Sequence, residues 1–200
     1  MFYFATKNEH KYNEVLTILK NYKEEYPTFN LEIKKVEINI PEEIESFNTY
    51  YDNAVKKAQY VYHHVFKPVI AEDSGLEIEQ LLGFPGVATS KIFPKLTQEQ
   101  KNQAFANMVS NLPMEFRKCR YVCRVVVLFD FSRYYSFEGV VEGFLSDVVI
   151  GSNGFGFDPI FLYPSMAMTF GQMDINVKCS ISHRYIAFKK LFDFLREGSY

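Results

Sequence analysis

Apolar residues recur every three or four positions in four segments of the chain, which predicts four amphipathic helices. The first segment follows residue 11, the second covers residues 51–65 and the third covers residues 97–111. The fourth begins at Ser180 or Ser182. The apolar positions expected to face the core are Tyr12, Val15, Leu16 and Leu19, then Tyr51, Ala54, Val55, Ala58, Val61, Tyr62 and Val65, then Phe105, Met108, Val109 and Leu112, and finally Ala187, Leu191, Phe194 and Leu195.

Other segments show the alternation or the short apolar runs that predict β-strands. These segments are residues 2–5, 31–40, 69–78, 117–129 and 134–141. The second ends at Pro41, and the last two are separated by a polar segment that can turn. Residues 117–141 therefore predict a long antiparallel hairpin.

The third strand segment, VIAEDSGLEI at residues 69–78, carries the clearest candidate chemistry. A short apolar run that ends in two carboxylates is typical of a buried strand, and ligands in open α/β sheets bind beyond such strand ends. Glu72 and Asp73 are neighbours, so their side chains point to opposite faces of the strand. At most one of them can lie in a given site. The alternative is an acidic strand end before a glycine turn.

The composition indicates an ordinary soluble protein of one large domain, or of two lobes around a shared core. It has 200 residues, 48% hydrophobic and 23% charged, with no apolar run that approaches the length of a membrane span. The N-terminal residues lack the features of a signal peptide, so a cytoplasmic location is expected. Cys119, Cys123 and Cys179 are expected to be reduced structural thiols. A net charge of −2 argues against a surface for nucleic acid.

Three further segments have both a structural and a functional interpretation. TKNEHK at residues 6–11 joins a strand to a helix, a geometry that binds phosphate, or it is a helix cap with solvated lysines. GSNGFGFDPIF at residues 151–161 exposes aromatic faces beside flexible backbone, or its rings complete the core. Ser182-His183-Arg184 places cations at a helix N-terminus, the unfavourable end for the helix dipole unless an anion is held there.

Together these segments suit one ligand, a nucleotide polyphosphate with magnesium. Carboxylates bind Mg²⁺ as a hard, oxygen-ligated cation that bridges phosphates. Lysine and arginine neutralise phosphate oxygens, and a phenylalanine ring stacks on a base.

The chain resembles the inosine triphosphate pyrophosphatases over nearly its whole length. The motifs that carry the resemblance are Thr6-x-Asn8-x-x-Lys11, EDSGL at residues 72–76, GFPG at 83–86, GFGFDPIF at 154–161, and Lys178 with Ser182-His183-Arg184. The resemblance implies an α/β fold with two lobes on a long, bent mixed β-sheet flanked by helices, and substrate in the groove between the lobes. It also implies a single domain over residues 1–200, a homodimer, and Mg²⁺-dependent hydrolysis of ITP, dITP and XTP to the monophosphate and pyrophosphate.

The resemblance also implies roles for individual residues on the phosphate side. Asp73 would be the general base and a metal ligand, assisted by Lys57, and Ser74 would contact substrate. The second metal carboxylate would be Glu42, with Glu45 as the competing candidate. Glu72 would support the site or face outward. The residues that would cradle the triphosphate are Thr6, Lys7, Asn8, Glu9, His10 and Lys11.

On the base side, the implied residues include Lys178, His183 and Arg184, which would complete the pocket. The implied base platform consists of Phe155, Gly156, Phe157 and Asp158. Phe157 stands where Tyr or Trp is usual, and Gly171-Gln172 replaces the usual Ala-Glu, which loses a carboxylate. Two alternatives stay open: a related pyrophosphatase for pyrimidine or modified nucleotides, and a nucleotide-binding protein without catalysis.

Overall fold

The computed structural model describes residues 1–198, and in this range it shows an α/β protein with a seven-stranded mixed sheet. The strand order is β2-β1-β3-β4-β5-β6-β7. In chain order the strands are β1 Phe2–Phe4, β2 Ile33–Lys35, β3 Val69–Ile78, β4 Lys118–Asp130, β5 Arg133–Leu145, β6 Phe161–Tyr163 and β7 Met168–Thr169. The helices are α1 Glu9–Glu25, α2 Tyr50–Val65, α3 Gln98–Val109, α4 Ile175–Lys178 and α5 His183–Glu197.

The sheet combines parallel and antiparallel pairing. Strand β1 pairs in parallel with β2 and with β3, and β6 pairs antiparallel with β5 and with β7. The chain divides into two compact units, of which the first comprises Met1–Asp73, Cys123–Gly139 and the residues from Ser182 on. The second comprises Ser74–Val122 and Val140–Ile181. Each unit therefore takes part of β3, β4 and β5.

The first unit has a core between α2 and the sheet. The Thr49 hydroxyl caps α2 by accepting a hydrogen bond from the Asp52 N–H, and small residues on one face of the helix then pack closely on the strands. The residues of this core include Ala54, Ala58 and Val61 from α2 and Val69, Ala71, Val126 and Leu128 from the strands. This packing fixes α2 against the first half of β3, which carries the two acids.

Helices α1 and α5 of the same unit are joined by aromatic side chains and a polar pair. The Tyr22 ring meets the edge of Phe192 at 5.4 Å, and its hydroxyl donates to Asp193 at 2.7 Å. The hydroxyl also accepts from the Arg196 guanidinium, and its pKa is raised to about 12 by partial burial and by the Asp193 carboxylate.

The second unit packs α3 against an aromatic residue of the loop that precedes β6. Thr97 and Gln100 form a reciprocal capping box at the start of α3. On the buried face of this helix, the Phe105 ring meets the Phe157 ring edge-on at 5.3 Å. Among residues 1–198, no helix combines the length and the apolar character that a membrane span requires.

Most predicted elements are confirmed, and the differences have local causes. Residues 31–40 were expected to form one strand, but only Ile33–Lys35 does so, because its partner β1 offers just three residues for pairing. Strand β5 runs beyond the expected residue 141, because Leu145 pairs with Phe161 of β6. Helix α5 begins at His183 with Ser182 as its cap, which decides between the two predicted starts.

The expected inward faces of the helices need three corrections. Phe105 and Val109 are buried as predicted, but Met108 is 44% exposed, because α3 buries Ala106 on that face. Leu112 is 37% exposed and lies beyond the end of α3 at Val109. Tyr51, in the first turn of α2, is also exposed at 37%. The three cysteines are buried thiols, as predicted.

Candidate active site

Polar side chains of the first loop, residues 6–11, accept hydrogen bonds from its own backbone and stabilise its conformation. The Thr6 hydroxyl accepts a hydrogen bond from the Asn8 N–H at 3.1 Å, and the Asn8 side chain accepts one from the Lys11 N–H at 3.1 Å. Asn8 is therefore the cap of α1. Thr6 is buried and Asn8 is exposed.

The charged residues of this loop point in different directions. The Lys7 ammonium donates to the Asn39 side chain at 2.5 Å and to the Ile40 carbonyl at 2.7 Å. Glu9 pairs with Lys35, and the His10 side chain is exposed. Lys11, at the end of the loop, forms an ion pair with an acid of β3.

That acid is Glu72, which lies in a buried cluster of charges. Lys11 Nζ is 2.8 Å from Glu72 Oε1, and Arg184 Nε is 3.1 Å from Glu72 Oε2. Arg184 also binds Glu14 of α1, and the Cys123 thiol donates to Glu72 at 3.0 Å. Burial raises the pKa of Glu72, but Arg184 and Lys11 outweigh it and hold this pKa well below its usual range. Of the two alternatives expected for Glu72, a supporting or an outward-facing acid, the structure excludes the second, since the side chain is 1% exposed.

Asp73 contacts a different set of residues from Glu72, because the side chains of neighbouring strand residues point to opposite faces. Its Oδ2 accepts a hydrogen bond from the Asn53 amide of α2 at 2.9 Å. Burial raises the pKa of Asp73, although the positive charges of Lys11 and Lys57 work against the rise. Lys57 is buried, donates to the Glu72 carbonyl at 3.0 Å and pairs with Glu45. The structure thus brings Asp73, Lys57, Lys11 and Glu45 together.

The two candidates for the second carboxylate lie on one short 3₁₀ turn, Glu42–Glu45, and differ in exposure. Glu45 is half-buried against Lys57, and its charge contributes to the raised pKa of Asp73. Glu42 is exposed on the same turn. Glu45 is therefore the candidate with observed links to the Asp73 site, and Glu42 as a metal ligand stays a prediction.

This donor set fits a magnesium ion that also binds substrate. Mg²⁺ is usually held by one or two carboxylates together with phosphate oxygens and water, so a cage of protein ligands is not needed. Asp73 and Glu45 supply two such carboxylates. Within residues 1–198, no group of three or more acidic, histidine or cysteine side chains is placed to hold a metal ion. A bound ion would therefore need further ligands, such as phosphate oxygens or water.

In the second unit, the glycine loop at residues 154–158 is closed by Asp158. The Asp158 carboxylate accepts a hydrogen bond from the Phe155 N–H at 2.7 Å. Gly154 has a φ of +72°, and a Cβ there would lie 2.1 Å from the Asp158 carboxylate oxygen. Glycine is thus required by both the backbone conformation and the close approach of Asp158.

Lys178 completes this arrangement from α4. Its ammonium lies 2.5 Å from the Asp158 carboxylate and 4.9 Å from the centre of the Phe155 ring. The Phe155 ring is half-buried, whereas Phe157 is 2% exposed and packed on Phe105. Of the two rings expected to form the base platform, Phe155 is therefore the accessible one.

The departure at Gly171-Gln172 has a local explanation. A Cβ on Gly171 would lie 2.7 Å from the Pro159 Cα and 2.8 Å from the Ile150 carbonyl oxygen, so alanine would need the backbone to shift. The Gln172 side chain accepts a hydrogen bond from the Thr169 N–H at 3.0 Å and so stabilises this turn.

His183 and Arg184 are the first two residues of α5, and both are buried. The cations at this helix start were expected to accompany an anion. In the structure the anions beside Arg184 are the carboxylates of Glu72 and Glu14, which belong to the protein. Ser74 follows Asp73 on β3 and is half-buried.

The sequence interpretation missed several polar residues that support these groups. Glu14 lies one helical turn after Lys11, and Asn53 lies one turn before Lys57, so each shares a helix face with a predicted site residue. Asn102 of α3 donates to the Gly156 carbonyl at 3.1 Å and holds the glycine loop. The helical spacing from Lys11 and Lys57 was the signal that could have identified the first two.

The fold and the site define an α/β protein whose first unit gathers carboxylates and lysines suited to a metal ion and phosphates. The family model described as the Ham1 family matches residues 2–194. A dITP/XTP pyrophosphatase of Dictyoglomus thermophilum is 38% identical over 193 residues, which cover 96% of this chain and 92% of that protein. A dITP/XTP pyrophosphatase of Desulforamulus reducens is 33% identical, with 96% and 93% covered.

A solved structure, a HAM1 protein from Coxiella burnetii, superimposes with a TM-score of 0.82 at 28% identity, and 98% of each chain is covered. The chain therefore belongs to the Ham1 family, and the predicted family relationship is confirmed.

Proposed function

We propose that this protein hydrolyses non-standard purine nucleoside triphosphates, such as ITP, dITP and XTP, to the monophosphate and pyrophosphate. The names of its relatives support this function. The observation that carries it is the position of Asp73 between the Asn53 amide and the Lys57 ammonium, with Glu45 next to Lys57. A buried carboxylate with a raised pKa, surrounded by lysines, is suited to activate water beside phosphates.

The phosphate chemistry is assigned to the first unit. Lys11 and Lys57 neutralise the phosphate oxygens, and Thr6 and Asn8 shape the loop in which the triphosphate binds, together with Lys7, Glu9 and His10. Asp73 orients the attacking water and accepts its proton. The water oxygen forms a bond to the α-phosphorus, the phosphoanhydride bond between the α- and β-phosphates breaks, and pyrophosphate leaves. A Mg²⁺ ion held by Asp73 and Glu45 would neutralise charge and lower the pKa of that water. Glu42 is the less suitable ligand, because it is exposed on the turn.

The base chemistry is assigned to the glycine loop. Phe155 offers the stacking face, and Lys178 and Asp158 hold its backbone and ring in place. A protein donor placed to bind the 6-oxygen of inosine or xanthine would face the 6-amino group of adenine, which is itself a donor. The two donors cannot form a hydrogen bond, so binding of ATP is strongly disfavoured. His183, Arg184 and backbone N–H groups are the candidate donors, and Arg184 already donates to Glu72 and Glu14.

The experiment is a measurement of pyrophosphate release from ITP, XTP, dITP, ATP and GTP by the purified protein, with and without Mg²⁺. We expect turnover of ITP and XTP to exceed that of ATP by at least about a hundredfold and to require the metal. Equal rates for ITP and ATP would contradict the proposed specificity. Binding without turnover would support a catalytically silent protein. We further propose, from the family resemblance, that the chain acts as one domain in a cytoplasmic homodimer.

A further inference from the structure

Asn53 of α2 is a polar residue on the buried face of a helix that otherwise packs on the sheet. Its side chain is 1% exposed, while its neighbour Asp52 is half-buried. A buried amide must find partners for its oxygen and its amino group, or folding bears the cost of desolvating them. The hydrogen-bond partners of Asn53 therefore indicate its structural role.

The Asn53 amide makes three hydrogen bonds. Its oxygen accepts from the Phe47 N–H at 2.9 Å, and its amino group donates to the Phe47 carbonyl at 3.3 Å. The same amino group donates to Asp73 Oδ2 at 2.9 Å. One side chain thus binds both backbone groups of Phe47 and the carboxylate of β3.

These contacts connect the two carboxylates that fit the metal. Phe47 lies two residues after Glu45, so fixing its backbone restrains the turn that carries Glu45. The third bond restrains Asp73 at the same time. Asp73 and Glu45 come from separate segments of the chain. Asn53 is hydrogen-bonded to the Asp73 carboxylate and to Phe47, in the segment that follows Glu45.

Only an amide can make this set of contacts in the space of Asn53. An aspartate could still accept from the Phe47 N–H, but it could not donate to Asp73 and would place a second negative charge beside it. An alanine would lose all three bonds. The requirement for both an acceptor and donors is what distinguishes a positioning role from simple packing.

We propose that Asn53 is a positioning residue that aligns Asp73 and the Glu45 turn to bind a divalent cation. The inference rests on the proposed function, because it assigns to Asn53 the support of the proposed metal carboxylates. Polar groups that hold metal ligands in place are typically worth about ten- to a hundredfold in metal affinity or activity.

The test compares Asn53→Ala and Asn53→Ser with the unaltered protein and with Tyr22→Phe. Tyr22→Phe is the matched control, since it removes hydrogen bonds to Asp193 and Arg196 in the same unit without touching Asn53, Asp73 or Glu45. Binding of Mn²⁺ in the presence of a non-hydrolysable ITP analogue, which supplies the phosphate ligands, is measured by electron paramagnetic resonance, and ITP turnover is measured over a range of Mg²⁺ concentrations. Circular dichroism establishes the folded fraction of each variant.

We expect both Asn53 variants to weaken Mn²⁺ binding by about ten- to a hundredfold and to raise the half-saturating Mg²⁺ concentration similarly. At equal folded fraction, kcat should fall while KM for ITP stays the same, since Lys11 still binds the phosphates. Tyr22→Phe should leave metal affinity unchanged. Asn53→Ser keeps a polar, uncharged group that is too short to bind Phe47 and Asp73 together, so it provides the test if Asn53→Ala does not fold.

Unchanged Mn²⁺ affinity in a folded Asn53→Ala or Asn53→Ser protein would overturn the proposal. A loss of kcat that merely follows the folded fraction, with no change in metal dependence, would also overturn it. Failure of the proposed function is recognised separately, because the unaltered protein would then bind Mn²⁺ without hydrolysing any nucleoside triphosphate.

Discussion

Replacing Glu72 by glutamine should strongly destabilise the protein, because Glu72 balances a buried pair of cations. Glu14 and Glu72 carry two negative charges, and Lys11 and Arg184 carry two positive charges, so the cluster is neutral. Glu72→Gln leaves a net positive charge in a site where Glu72 and Arg184 are each 1% exposed. Removal of one partner from a buried ion pair typically costs about 3–5 kcal/mol.

This cost is large compared with the free energy of unfolding of a typical domain, about 5–15 kcal/mol. At about 2–4 °C per kcal/mol for a chain of this size, Glu72→Gln should lower the Tm by about 6–20 °C. Thermal and urea unfolding, followed by circular dichroism, give the Tm and the free energy. Glu14→Gln is the informative companion, since it removes one partner of Arg184 and leaves Glu72 in place.

The difference in stability between the native protein and Glu72→Gln should depend on pH. Because the pKa of folded Glu72 lies well below its usual range, its stabilising effect is full above the unfolded pKa of about 4.3 and is lost as the pH falls through the folded value. The difference in stability between native protein and Glu72→Gln should therefore shrink in strong acid. A difference below about 1 kcal/mol at neutral pH would refute the assignment, since that is the range of exposed ion pairs.

Three other substitutions test separate parts of the site. Asp73→Asn should abolish ITP turnover while nucleotide binding persists; undiminished turnover would remove Asp73 as the base. Phe155→Ala should raise KM for every purine triphosphate by about 5- to 150-fold, the range expected for one stacked base, and an unchanged KM would discard the stacking role. Gly154→Ala should lower the Tm, because its Cβ would meet the Asp158 carboxylate at 2.1 Å and its φ is +72°; a Tm equal to that of the native protein would contradict this.

Much of the fold could be predicted from local patterns. The stripe over residues 51–65 and the run VIAEDSGLEI identified α2 and β3, since each element buries one regular set of side chains. The extent of β2 could not be predicted, because it depends on the length of the partner β1 and not on its own alternation.

The contacts of the candidate site also depend on distant elements, so only part of them could be predicted from the sequence. In a 3₁₀ turn, residues three apart lie on the same side, so spacing could not separate Glu42 from Glu45. The structure separates them through Lys57, a residue of another element. The partner of Arg184, Glu14, is 170 positions away in the sequence, and a helical pattern carries no information about such a contact.

The burial of Phe157 also depends on a distant element. Its motif, GFGFDPIF, gave both phenylalanines the same expected role, but Phe105 of α3 packs on Phe157, which is buried, while Phe155 is half-buried. The sequence could indicate that the loop is aromatic and pliable. It could not indicate which ring the rest of the unit would cover.

The most direct test of the central claim is to identify the products that the protein forms from ITP in the presence of Mg²⁺, by phosphorus NMR. The account predicts IMP and pyrophosphate in equal amounts, with none of either from the Asp73→Asn variant. Formation of IDP and inorganic phosphate, or the same products at the same rate from Asp73→Asn, would contradict it.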